Sequence, residues 1–178
     1  MSWSCLFLTF YLIFSSFCFS LEKIDLRESS QQESVEKEEL FVRRIIEFWK
    51  DGELTIVQKQ VKEFFESYPK SLYIDQLKVL LAESYIKEKK YTLALSYFNQ
   101  INDPEQKNKV FLNKLQCYHN LEKYTDLFDE LYPLIIKGGQ IDPAISYYYA
   151  ETCYRFALQD NKKELLLEAI AFFSRLKG

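Results

Sequence analysis

Glycine and proline are scarce in this chain, with four of each among 178 residues. A β-sandwich or small barrel needs such residues at each of its many turns, so the shortage speaks against a fold of many short strands. Histidine occurs once, at His119. A zinc site or a histidine-centred triad needs further partners at set distances. Asn120 and Glu122 stand near His119, and no H-x-x-x-H or H-E-x-x-H arrangement exists. A phosphate loop is missing too, because Gly138-Gly139 lacks the preceding strand and the following Lys-Ser/Thr. Nor is there a surplus of positive charge. The formal net charge is −3 with both signs mixed along the chain, which leaves no footprint for nucleic acid. These shortages favour a non-enzymatic protein with no catalytic residues, no metal and no cofactor.

What is present is apolar and aromatic. Hydrophobic residues make up 48% and aromatic residues 17% of the chain, with charged residues at 28%, as in a soluble helical protein. Residues 3–20, WSCLFLTFYLIFSSFCFS, form the one long uncharged run. Its core from Cys5 to Phe14 has the length of a signal-peptide apolar region, and the small residues Cys18 and Ser20 suit a peptidase site. Cleavage between Ser20 and Leu21 is expected, giving a protein exported to the periplasm or envelope. The first four residues carry no Lys or Arg, so an uncleaved membrane anchor and a buried core helix stay open as alternatives, about 18 apolar residues being just enough to span. Phe17 before Cys18, and Ser4 before Cys5, do not form a lipidation signal. Residues 21–38 are polar and read as a flexible linker, leaving 39–178 as the folded domain.

From Glu39 onward apolar residues recur at three- and four-residue spacings, and no segment reads as a strand. Phe41, Val42, Ile45, Ile46, Phe48 and Trp49 mark a first helix, interrupted at KDGE 50–53. Leu54, Val57, Val61, Phe64 and Phe65 mark a second, ended near Tyr68-Pro69. Helices three and four occupy 78–101. The turn NDPEQ 102–106 is followed by helix five over about 105–120 and helix six over about 124–136. Gly138-Gly139 stops the chain, and Asp142 as N-cap with Pro143 at the first helical position starts helix seven, which runs to about Leu158. Helix eight covers Leu165–Leu176. Its sequence stays apolar to the end, where a solenoid normally closes with a polar outer face, so either this helix packs on a partner or on another copy, or the chain is the front part of a longer array.

The segments ESYIKEKKYTLAL and QCYHNLEKYTDLF align with Tyr85 on Tyr118, Lys90 on Lys123 and Tyr91 on Tyr124, a shift of 33 residues. Two helices per unit and a period near 34 resemble the tetratricopeptide repeat. Ala82, Tyr85, Tyr91, Ala94 and Phe98 match that family's small and aromatic positions. Tyr118 and Tyr124, then Phe41, Phe48 and Pro69, then Ala150, Ala169 and Phe173 carry weaker copies. The resemblance covers about 38–177 and implies an all-α, right-handed α-solenoid of about four helix pairs after the apolar leader. The junction with Phe65, Tyr68, Pro69, Ser71 and Tyr73 is similar to repeat units of exported bacterial envelope proteins, such as the outer-membrane assembly lipoprotein and the cell-division coordinator.

In that family the first helix of each pair lines a concave groove. The resemblance therefore implies groove positions at Val42, Ile46 and Trp49; at Val79, Glu83, Ile86 and Lys87; at Leu112, Gln116, His119 and Asn120; and at Tyr147, Glu151, Tyr154 and Arg155. Such a trough suits an extended or helical segment of a partner protein. The implied function is a scaffold or adaptor in the bacterial envelope. Two alternatives remain: a cytoplasmic chaperone or regulator of the same fold, and a membrane-anchored accessory subunit of an envelope complex. Cys117 and Cys153 fall on first helices of successive pairs, outside any CxxC motif. They read as two separate buried thiols, with a disulfide open if their Cα atoms lie within about 7 Å.

Overall fold

The computed structural model describes residues 32–176. The expected leader 1–20 with its cleavage point, and the first part of the expected linker, lie outside the described residues. Among the described residues all regular structure is helical, in nine helices, and no helix is long and apolar enough to cross a membrane. The chain divides into two units, one ending at Glu53 and one beginning at Leu54.

In the first unit a single helix, α1, covers 32–50. It starts earlier than the apolar periodicity does, because residues 32–38 include good helix formers and are supported by charge pairs one turn apart. Glu33 pairs with Lys37 at 2.7 Å and Glu39 with Arg43 at 3.7 Å. Val42 and Ile45 are buried, and the Arg44 guanidinium lies 5.0 Å from the Phe41 ring centroid.

The second unit holds α2 (Leu54–Ser67), α3 (Ile74–Lys87), α4 (Tyr91–Phe98), α5 (Pro104–Lys109), α6 (Phe111–Asn120), α7 (Tyr124–Lys137), α8 (Pro143–Asp160) and α9 (Lys163–Arg175). The expected fifth helix is thus two helices. Val110, buried and with ψ near 0°, ends α5 and begins α6. The short α5 has no buried residue of its own, and the buried Val110 follows at its end. The expected caps form: Asp142 accepts from the Ala144 amide at 2.7 Å ahead of Pro143, and Pro104 opens α5. Asp103 caps α5 by accepting from Glu105 and Gln106. Pro133 sits inside α7, where its missing N–H falls on an exposed stretch that water can serve.

Within the second unit the helices other than α5 pack in chain order. Helix α2 packs on α3, α3 on α4, α4 on α6, α6 on α7, α7 on α8 and α8 on α9, with α6 also against α8. Small or compact residues are fully buried at the meeting points. Ala82, Leu115 and Ala150 serve α3, α6 and α8, and Val57, Ala94, Leu127 and Ala169 serve α2, α4, α7 and α9. Tyr85 and Phe98 are buried beside them, with Tyr85 stacked on Tyr97 at 5.8 Å.

The turns repeat one device. Gly52, Lys89, Glu122 and Asn161 all have positive φ, at 78°, 60°, 55° and 51°. In each case the next amide donates back five residues: Glu53 to Phe48, Lys90 to Tyr85, Lys123 to Tyr118 and Lys162 to Ala157, at 2.8–3.2 Å. This is the bond of a Schellman motif, which satisfies a free carbonyl at the helix end and turns the chain sharply. Gly and Asn suit the left-handed conformation, whereas Lys89 and Glu122 adopt it against steric preference.

A second tie joins α3 to the loop before α5. The Asp75 carboxylate accepts from the Asn102 and Asp103 amides at 2.7 and 2.8 Å and from Lys78 Nζ at 2.9 Å. Lys78 also donates to the Gln100 carbonyl.

Two substitutions test this construction. Ala94→Leu overfills a fully buried contact between α3 and α4 and is expected to cost about 1–3 kcal/mol in a denaturant melt. Glu122→Gly relieves the left-handed strain and is expected to stabilise by about 1 kcal/mol. A loss of stability on Glu122→Gly would show that the side chain matters more than the backbone there.

Candidate functional site

The residues expected to line a groove fall on four helices. On α1, Val42 is buried while Ile46 and Trp49 are half-buried. On α3, Val79, Glu83 and Ile86 are half-buried and Lys87 is exposed; on α6, Gln116 and His119 are half-buried and Leu112 and Asn120 exposed. On α8, Tyr147, Tyr154 and Arg155 are exposed and Glu151 is half-buried. A recess of about 570 Å³ runs along α1, lined by Lys37, Leu40, Phe41, Arg43, Arg44 and Glu47, and none of the expected groove residues contributes to it.

Within the second unit, side chains of α3, α6 and α8 meet across helices. Asn113 Nδ2 on α6 donates to Glu83 Oε1 on α3 at 3.2 Å. Burial pushes the Glu83 carboxyl up from its ordinary value, against the opposing pull of the Lys87 charge and the Asn113 hydrogen bond. Between α6 and α8 the link is aromatic. The His119 ring lies 5.4 Å from Tyr148 and 6.2 Å from Tyr147, and meets Tyr124 edge-on at 6.3 Å. Tyr147 continues the contact to Phe173 on α9 at 6.1 Å.

Arg155 completes this cluster. Its Nε donates to Glu151 Oε1 at 2.7 Å, and its guanidinium carbon lies 5.6 Å from the Tyr124 ring centroid. The Glu151 hydrogen bond first, and the Tyr124 field next, hold the guanidinium pKa above its ordinary value. Asn120 turns back on its own helix, donating to the Gln116 carbonyl.

The structure thus joins Glu83 to α6, and joins His119, Tyr147, Glu151 and Arg155 into one cluster with Tyr124. It shows no comparable link for Leu112 or Tyr154. Sequence reasoning missed Asn113, Tyr124 and Tyr148 as members. Tyr124 matches a repeat position of the resemblance, and Asn113 neighbours Leu112. Tyr148 belongs to the run Tyr147-Tyr148-Tyr149, where helical spacing alone does not say which ring faces where. The structure sends Tyr149 inward, with its hydroxyl donating to Glu168 at 2.8 Å, and leaves Tyr147 and Tyr148 to His119.

The arrangement is suited to recognition: flat aromatic faces, a cation fixed on a ring, and a half-buried carboxylate. Cys117 and Cys153 are free, buried thiols, and burial pushes each up to about 11, so both stay protonated and unreactive at neutral pH. Among the described residues no group of three His, Cys, Asp or Glu side chains could hold a metal ion. No protein-family model matches the chain, and no curated protein matches it either. Its function is therefore argued from the geometry above.

Glu83 gives a pH test with a definite sign. A carboxyl with a raised folded pKa is protonated more readily in the folded chain than in the unfolded one. Its ionisation lowers stability as pH rises from 4.5, the ordinary value, through the folded pKa. Glu83→Gln is expected to match or exceed the native chain in thermal stability at neutral pH, with the advantage fading as pH falls below 4.5. Melts across a pH series check this, and a variant that is less stable at neutral pH would show that the Asn113 and Lys87 interactions outweigh the burial.

Proposed function

We propose that this chain is a non-enzymatic tetratricopeptide-repeat-like scaffold of a bacterial cell envelope. In this reading the helices form a right-handed α-solenoid of about four pairs. A partner protein docks a segment on the face made by the first helices α3, α6 and α8. The observation that carries the reading is the linkage of side chains across those helices, Glu83 to Asn113 and His119 to Tyr147 and Tyr148. Side chains held in this way form a continuous, pre-arranged surface, which lowers the ordering cost of binding a segment. The four like turns at Gly52, Lys89, Glu122 and Asn161 support the repeat, since equal turns follow from equal units. The envelope location rests on the apolar leader.

The division of labour along the face follows from its chemistry. Val79 and Ile86 offer apolar contact around Glu83, a half-buried acceptor that would select a donor on the partner. The rings of Tyr147, Tyr148 and His119 offer broad contact area at low entropic cost, and Arg155, held on Tyr124 by Glu151, sets polarity at the α8 end.

In-cell crosslinking with mass spectrometry names the partner and maps the contact. Against that partner, the double variant Glu83→Ala/Arg155→Ala is expected to bind about tenfold more weakly or worse, with an unchanged circular dichroism spectrum. Unchanged binding by a folded double variant would overturn the groove assignment.

A further inference from the structure

The second helices of the pairs show a regularity that breaks at α9. Val57, Ala94, Leu127 and Ala169 occupy corresponding buried positions on α2, α4, α7 and α9. The residue after each one faces the following helix in the first three cases. Gln58 donates to Glu88 at the end of α3 at 3.0 Å. Leu95 is buried on α4, which packs on α6. Phe128 meets Tyr149 and Phe156 of α8 at 5.9 and 5.7 Å. The fourth, Ile170, is 56% exposed.

The same register shows that the α9 face differs from its counterparts. Two residues before the buried position stand Thr92 on α4 and Thr125 on α7, both exposed and polar. On α9 that place holds Leu167, 57% exposed. Helical spacing puts Leu167, Ile170, Ala171 and Ser174 on one stripe, with all four exposed. Leu167 thus widens the apolar stripe beyond its counterparts on α4 and α7, leaving a face fit for an occupant.

Charge identifies that occupant. Glu164 stands in the first turn of α9 and Arg175 in the last, eleven positions apart and hence on the same flank of the stripe. Two copies of α9 laid antiparallel about a two-fold axis near Ile170 would bring each Glu164 to the other copy's Arg175. The axis would set Ile170 against Ile170 and Leu167 against Ala171, with the small Ala171 and Ser174 allowing close approach. Lys163 would face the neutral Ser174. We infer that the outer face of α9 is a self-association surface, forming an antiparallel two-fold dimer with a second copy of this chain. Such an isologous contact is the commonest kind of oligomer interface. The apolar patch is small, so the dimer is weak and concentration-dependent. It does not rest on the groove reading.

Sedimentation velocity of the full chain over a concentration series tests it, with the native chain as reference for association through any other segment. The native chain is expected to shift toward dimer with concentration. Leu167→Glu/Ile170→Glu is expected to weaken the dimer about tenfold or more, with unchanged helicity because both residues are exposed. Glu164→Lys alone should weaken it, and Glu164→Lys/Arg175→Glu should restore it. Ile170→Cys should crosslink to its own counterpart on mild oxidation. A native chain that stays monomeric throughout, or a dimer indifferent to the Leu167 and Ile170 changes, overturns the proposal. A dimer that the charge exchange does not rescue overturns the antiparallel arrangement.

Discussion

The structure depends on a single backbone event made four times, a residue turned into the left-handed conformation directly after a helix. Gly52, Lys89, Glu122 and Asn161 each allow the next amide to reach back to a carbonyl of the last helical turn. Without that bond a helix end in this chain would leave its carbonyls to solvent and its exit direction undefined. After Lys89, Glu122 and Asn161 the following helix packs on the one before, α4 on α3, α7 on α6 and α9 on α8. Packing then supplies the stability that a helix of eight residues such as α4 lacks alone.

Since the helices of the second unit other than α5 pack in chain order, α3, α6 and α8 become neighbours without being joined in sequence. That is how Glu83 and Asn113, thirty positions apart, come to share a hydrogen bond. The same layout lets His119 touch two tyrosines of α8. The proposed binding face therefore needs no loop to hold it, since every member except Tyr124, at the first position of α7, lies within a first helix. Sites carried on helices keep their geometry better than sites on loops.

The helices were largely legible in the sequence because apolar spacing reports burial directly. Ala82, Tyr85, Ala94 and Phe98 are all buried as their spacing requires. Caps were legible where proline followed aspartate, as at Asp142-Pro143. The interruption at Val110 was not, because a valine within an otherwise helical pattern carries no breaker signal. The early start of α1 was hidden for the opposite reason: its first turns are polar and lack an apolar stripe, although their charge pairs favour a helix. The turns at Lys89 and Glu122 were invisible as left-handed sites, since neither residue type announces that conformation. At the site, the sequence placed His119, Tyr147, Glu151 and Arg155 on facing helices. It could not choose among three consecutive tyrosines, because that choice is made by the neighbouring helices.

The junctions between successive pairs are built from unlike materials. Toward α9 they are aromatic, with Phe128 on Tyr149 and Tyr149 edge-on to Phe172 at 5.0 Å. At the head of α3 the junction is a carboxylate, Asp75. Its own partial burial opposes ionisation, yet Lys78 and the Asp103 and Asn102 amides hold its pKa below the ordinary 3.8. A depressed folded pKa means that its stabilisation is present above 3.8 and disappears as pH falls through the folded value. Ring contacts carry no such dependence. Acid protonation of Asp75 therefore weakens the tie between α3 and the loop before α5, a dependence that the ring contacts toward α9 lack.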